Sequence, residues 1–376
     1  MSTWEEHAVA WRAMPLASTI RFYGGVFCLF AALNLIVACM NPLSQTVTNL
    51  VIWVMMGGCF AVGWASIFAY RRFGLLPVIF VAQFVGYGIL GRFSPGHRLD
   101  LHGLVHKLNF DGTLAVIFLV LGYILFIAFF RKEGARFFKT QTEVRLAGEI
   151  HRALVPPRHL TIGNVELFGT SIPSSEVGGD LFDIVECESG WHAYVADVSG
   201  HGLAAGILMS MIKSATSMQL NKLKRPAELL TDLNDVMQPF TSPANYLTFA
   251  YVGGNGSGHL KFALAGHLPI LHYRAQSRTI VEQTDNNLPI GLFKDQTFAI
   301  SQLTLAPGDL LAIVTDGFTE VFDSSEREMG MAELNSLLLA RAENPLPQIY
   351  SELRTITTTY GPQTDDQTML LIRALS

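Results

Sequence analysis

Four short stretches place aspartates beside glycines or against apolar runs. They are Gly178-Gly179-Asp180-Leu181-Phe182-Asp183, Ala196-Asp197-Val198-Ser199-Gly200-His201-Gly202, Thr315-Asp316-Gly317 and Thr364-Asp365-Asp366-Gln367. The third follows Leu310–Val314 and the fourth precedes Met369–Ile372, so acids stand where strands end and loops converge. Hard divalent cations require several oxygen ligands, and an aspartate set without a His/Cys pattern suits magnesium or manganese rather than zinc. Acids at four loop tips can hold two cations about 3.5–4 Å apart, which activate water and neutralise a phosphoryl group. Adjacent glycines allow tight turns and let a backbone carbonyl approach a metal. Ser199 lacks the Gly-x-Ser-x-Gly setting of a serine nucleophile and reads as a turn residue. Any one of these stretches is ordinary turn chemistry; four in one segment indicate a two-metal hydrolase.

The chain that must position them is not uniform. Residues 1–130 carry seven Lys/Arg and four acids, leaving 19 of the 26 basic and 27 of the 31 acidic residues to the remainder. An acidic remainder argues against nucleic acid as partner, since phosphate backbones require a basic face. Cys28, Cys39, Cys59 and Cys187 have no zinc or disulfide spacing and read as space-filling.

Four apolar runs, about 22–40, 50–70, 73–90 and 113–130, have the length and lack of charge of transmembrane helices. With the N-terminus inside, eight Lys/Arg (Arg12, Arg21, Arg71, Arg72, Arg131, Lys132, Arg136, Lys139) face the cytoplasm against three outside (Arg92, Arg98, Lys107). Both termini are therefore expected in the cytoplasm. Trp4 and Trp11 suit an interfacial lead-in. Asn34 and Gln83 read as interhelical hydrogen-bonding groups, and Gly57, Gly58 and Ala61 as sites of close helix packing. His97, His102 and His106 lie in the second outer loop, read as residues 91–112, where they are either solvated or a sensor.

Residues 131–157 read as a charged helical linker ended by Pro156-Pro157, with Leu146, Ile150 and Leu154 at four-residue steps. The helix serves either as a spacer or as a dimerising element that carries a signal. From residue 158 to 376 the texture is mixed, with strands expected at 165–171, 191–196, 246–252, 259–265, 269–273, 309–314 and 368–373. Helices are expected at 203–220, 226–240, 331–342 and 346–359. They do not alternate strictly with the strands, which predicts an α+β layered domain.

The motifs, in order, resemble the bacterial serine phosphatases of the sporulation and stress-response (SpoIIE/RsbU) type within the PPM metal-dependent protein phosphatases. Besides the four acidic stretches, the resemblance rests on residues 146–157, Ala265-Gly266-His267-Leu268-Pro269 and Pro289-Ile290-Gly291, and it covers about residues 143–376. It implies a two-sheet β-sandwich flanked by helices, with two Mn2+ or Mg2+ ions between loops at one end. It implies that Asp180 and Asp197 are ligands, with Asp197 bridging, and that the Val198 carbonyl contributes. Asp316 and one of Asp365 and Asp366 would complete the set, Asp365 matching the better. Asp183 either holds a third ion or braces its loop. His267 is read as structural, with Leu268 standing where the family has asparagine.

The resemblance further implies hydrolysis of phosphoserine or phosphothreonine on a regulatory protein of the anti-sigma-antagonist type. It places a sensor, here the four-helix membrane segment in the bacterial inner membrane, ahead of the catalytic domain, with the linker helix as signal path and homodimer contact. A catalytically silent phosphoprotein-binding scaffold of the same fold is the alternative.

Overall fold

The computed structural model describes all residues except 1–10, 12–13, 41–46, 93–100, 189, 201, 221–224, 243–245, 256–257 and 376. Trp4, His97 and His201 therefore lie outside the described residues. The chain divides into two compact units, Met1–Gln141 and Thr142–Ser376.

The first unit contains helices α1 (Leu16–Met40), α2 (Val47–Tyr70), α3 (Leu76–Arg92, after a 3-10 turn at Phe73–Leu75) and the beginning of α4 (Leu101–Leu154). All four are long and apolar enough to cross a membrane. Small residues set their spacing. A Cβ on Gly57 would lie 2.0 Å from the Asn34 amide nitrogen, and one on Gly58 would meet the Phe27 ring at 2.4 Å, so two glycines let α1 and α2 touch. Asn34 and Gln83 make the expected interhelical bonds. Tyr87 Oη donates to Asn34 Oδ1 (3.3 Å) and Trp64 Nε1 donates to Gln83 Oε1 (2.9 Å).

Two expectations are corrected here. Residues 101–112 are not loop but the first turns of α4, where the rings of His102 and His106 meet edge to face with centroids 4.8 Å apart. Asp111, expected in that loop, is buried in the helix with one carboxylate oxygen unpartnered. Nor does a linker begin as a separate helix at 131. Helix α4 runs unbroken for 54 residues, and its last turns from Thr142 belong to the second unit.

That second unit is a two-sheet sandwich. One sheet has the order β1 (Arg158–Ile162), β2 (Val165–Ile172), β11 (Gln367–Ala374), β10 (Leu310–Val314), β7 (Ile270–Arg274) and β8 (Thr279–Gln283). The other has the order β3 (Asp180–Cys187), β4 (Gly190–Val198), β5 (Leu247–Gly254), β6 (His259–Ala265) and β9 (Ser301–Thr304). All pairings are antiparallel. Helices α5 (Leu203–Leu220) and α6 (Pro226–Met237) cover the second sheet, and α7 (Gly330–Leu339) and α8 (Leu346–Tyr360) cover the first.

Strands β10 and β11 are apolar without alternation because both faces are covered. Leu311, Ile313, Leu370 and Ile372 face the other sheet, while Leu310, Ala312, Val314, Met369 and Leu371 face α7 and α8. Phe182 of β3 locks the sheets together. Its ring occupies the space a side chain on Gly169 of β2 would fill, 2.4 Å from the position of a Cβ. It is 1 % exposed and one residue from Asp183.

Phe182→Ala should therefore cost about 3–5 kcal/mol of folding stability through the cavity it leaves. Urea unfolding of residues 142–376 measures this.

Candidate metal centre

The four acidic stretches meet at one end of the sandwich because of strand register. Asp180 opens β3 and Asp197 closes β4, and the two are direct cross-strand partners. Like charges directly opposed on an antiparallel pair destabilise the sheet, so this pairing works against the fold. Asp316 follows β10 and Asp365 precedes β11, the neighbouring central strands of the other sheet. Thr315 ties the sheets together at this point. Its hydroxyl donates to Asp180 Oδ2 (2.7 Å) and accepts from the Thr368 amide (3.0 Å).

Electrostatics follow from that crowding. Burial, then Asp197 and Asp366, hold the Asp180 carboxyl well above the usual carboxylate range. Burial pushes Asp197 up to about 7, reinforced by Asp316, Asp365, Asp366 and Glu320. Asp316 is pushed up to about 6 by burial, Asp365 and Glu320. No lysine or arginine is among the groups that shift these three carboxyls. Among the described residues, no three acidic, His or Cys side chains converge closely enough to form a ready-made metal cage. Burial first, and then mutual repulsion, disfavours the charged forms of these carboxyls.

The donor set suits a hard divalent cation: oxygens only, unneutralised, on rigid strand ends. A Cβ on Gly179 would lie 2.6 Å from the Val198 carbonyl oxygen and 2.9 Å from that of Gly200, so glycine keeps both carbonyls reachable beside Asp180. Gly200 and Gly202 hold φ of 94° and 86°, conformations that turn the loop sharply after Asp197.

The adjacent acids Asp365 and Asp366 have different surroundings. Asp366 is 2 % exposed. Its Oδ1 accepts from the Ser174 amide (2.6 Å) and hydroxyl (3.0 Å), and its Oδ2 from the amides of Gly179 (2.6 Å) and Asp180 (3.3 Å). Asp366 thus holds the Asp180 loop in place with oxygens already engaged. Asp365 is exposed, and its Oδ1 accepts a local bond from the Asp366 amide (2.7 Å).

Asp183 also has partners. Lys213 of α5 lies 2.7 Å from its Oδ2, and its Oδ1 accepts from the Ile184 amide at 3.0 Å. His267 accepts or donates one bond with Thr248, the residue paired with Asp197, at 2.7 Å through Nδ1. Its Nε2 is buried without a partner, and this desolvation pushes the imidazole down to about 4.

Sequence reasoning missed Thr315, Ser174 and Lys213 as supports and Glu320 as a further acid. Glu320 was legible as the residue four beyond Asp316, and its amide donates to the Asp316 carbonyl (2.7 Å). The others left no signal, because their partners are remote in sequence.

Residues 188–375 match the family model of stage II sporulation protein E (SpoIIE). The chain belongs to the SpoIIE family. The matched segment contains Asp197, Asp316 and Asp365, while Asp180 and Asp183 precede it. Two curated relatives, both from Bacillus subtilis, support the assignment. Phosphoserine phosphatase RsbU is 25 % identical over 181 residues, covering 48 % of this chain and 54 % of RsbU. Phosphoserine phosphatase RsbP is 25 % identical over 187 residues, covering 47 % of this chain and 45 % of RsbP. The chain thus spans about half the length of the curated relatives it matches. Among solved structures, the PP2C domain of SiaA from Pseudomonas aeruginosa superposes with a TM-score of 0.54 at 22 % identity. It covers 64 % of this chain and 98 % of that domain, and it shares the fold.

Replacing Asp366 with alanine should cost on the order of 3 kcal/mol, because buried amides lose a charged acceptor. Asp365→Ala should leave metal-free stability unchanged or raise it, since it removes a like charge near Asp197 and Asp316. Urea midpoints of the two variants, measured with chelator present, distinguish these roles.

Proposed function

We propose that this SpoIIE-family chain is a membrane-anchored, metal-dependent serine/threonine protein phosphatase acting on a phosphorylated regulatory protein. The observation that carries the reading is the direct opposition of Asp180 and Asp197 beside Asp316 and Asp365, with no cationic side chain among the groups that shift them. Such an arrangement weakens the fold and is retained for the cations it attracts. The relatives named as phosphoserine phosphatases supply the substrate class.

In this reading Asp180, Asp197, Asp316, Asp365 and the Val198 carbonyl hold two magnesium or manganese ions. Bound there, the ions supply an acidified water and neutralise the phosphoryl group. Asp366 and Asp183 are assigned to bracing instead, because the first is engaged by backbone amides and the second by Lys213. Thr315 orients Asp180 through the bond from its hydroxyl to Oδ2.

The four apolar helices anchor the chain in the inner membrane, with both termini on the cytoplasmic side by the placement of Lys and Arg. Regulation runs through the end of α4. A Cβ on Gly148 would lie 2.6 Å from the Glu176 carbonyl, so the helix rests directly on the loop leading to Gly178. His151, buried one turn on, is pushed below the ordinary imidazole range by burial, against the opposing effect of Asp366. Phe137, Phe138, Leu146 and Ile150 are exposed along the same helix, an apolar surface suited to pairing with a second copy.

Full-length protein in detergent should hydrolyse a small phosphate ester only with manganese or magnesium, and Asp197→Ala should lose roughly 10^3-fold or more in rate. Metal-independent turnover, or full turnover by Asp197→Ala, would remove the two-metal reading. In the same assay Gly148→Val should raise the metal concentration needed for half-maximal rate; an unchanged value would remove the helix from the regulatory path.

A further inference from the structure

A cleft of about 810 Å³ lies between α1, α2 and α3 of the first unit. That falls within the range of small-molecule sites, roughly 300–1,000 Å³. Its walls are mainly aromatic, including Trp53, Phe60, Trp64 and Tyr87, and two amides, Asn34 and Gln83, line it from different helices. Tyr87 meets Trp53 edge to face with ring centroids 5.0 Å apart, so the walls present flat ring faces and edges.

The hydrogen bonds inside the cleft fix which polar atoms remain. An indole nitrogen can only donate, so the bond from Trp64 Nε1 assigns the near atom of Gln83 as its oxygen. The Gln83 amide nitrogen, with two hydrogens, has no hydrogen-bond partner among the described residues. Asn34 spends one amide hydrogen on the Phe30 carbonyl (2.8 Å), and its oxygen receives Tyr87. The Trp53 indole N–H likewise has no hydrogen-bond partner among the described residues. These donors face the open cleft, and in a bilayer they would meet hydrocarbon, where an unmet polar group costs several kcal/mol. An occupant that satisfies them carries an acceptor on a flat, apolar body. A hydrocarbon chain supplies neither the acceptor nor the flatness.

We propose that this cleft binds a membrane-soluble planar carbonyl compound of the quinone class, its ring between the aromatic walls and a carbonyl oxygen accepting from Gln83. The proposal concerns binding alone and rests on the membrane reading above, which fails separately if full-length protein does not partition with membranes.

The test uses full-length protein in phosphatidylcholine nanodiscs with duroquinone, a fully methylated benzoquinone, as the probe. Quenching of Trp53 and Trp64 fluorescence should saturate with concentration, and Gln83→Leu should weaken the apparent affinity about tenfold, the worth of one well-placed hydrogen bond. Durene, the same methylated ring without carbonyls, should not displace the quinone at equal concentration. Non-saturating quenching, equal displacement by durene, or unchanged affinity in Gln83→Leu would each overturn the proposal and leave an apolar cleft filled by lipid. If Gln83→Leu does not reach the membrane, the durene comparison on the unaltered protein decides.

Discussion

Repulsion between carboxylates held at one end of a sandwich is the constraint on which the second unit depends. Strand register alone sets Asp180 against Asp197, and the neighbouring strands β10 and β11 bring Asp316 and Asp365 to the same end. The surrounding structure resists this strain with uncharged or fully engaged groups. The Thr315 hydroxyl holds Asp180, backbone amides saturate Asp366, and Lys213 neutralises Asp183 at a step removed. No lysine or arginine is among the groups that shift Asp180, Asp197 and Asp316, so among the described residues their crowding is not offset by a named cationic partner.

Much of this was legible in the sequence, for identifiable reasons. The helices long and apolar enough to cross a membrane were visible because length and the absence of charge can be read from single residues. Central strands such as β10 and β11 were visible as apolar runs. Strand β3 was not read as a strand, because Asp180, Asp183 and Glu186 interrupt its apolar pattern; the acids are tolerated there through Thr315 and Lys213. The edge strands β1, β8 and β9 are short and partly exposed, so they carry little hydrophobic signal. The resemblance matched Asp365 better than Asp366, and what sequence adjacency could not show is that Asp366 faces the amides of the β3 loop. Asp183 could not be decided from sequence because its partner stands 30 residues later on a helix face.

The course of α4 was misread for a related reason. Hydropathy marks where a helix suits lipid, not where it ends, so residues 101–112 passed for loop although they continue the helix. Downstream, the charged stretch read as a spacer or a dimerising helix, and its end is packed, with His151 and Val155 buried in the second unit. A single helix thus carries both lipid-suited turns and turns that rest on the loop leading to Asp180.

Anomalous diffraction from crystals of residues 142–376 soaked with manganese tests the central claim most directly. Two manganese peaks in contact with Asp180, Asp197, Asp316 and Asp365, with Asp366 still bonded to the Gly179 amide, are the predicted result. Absence of manganese at these acids in crystals that retain the fold, or a peak held by Asp366 in place of Asp365, would contradict it.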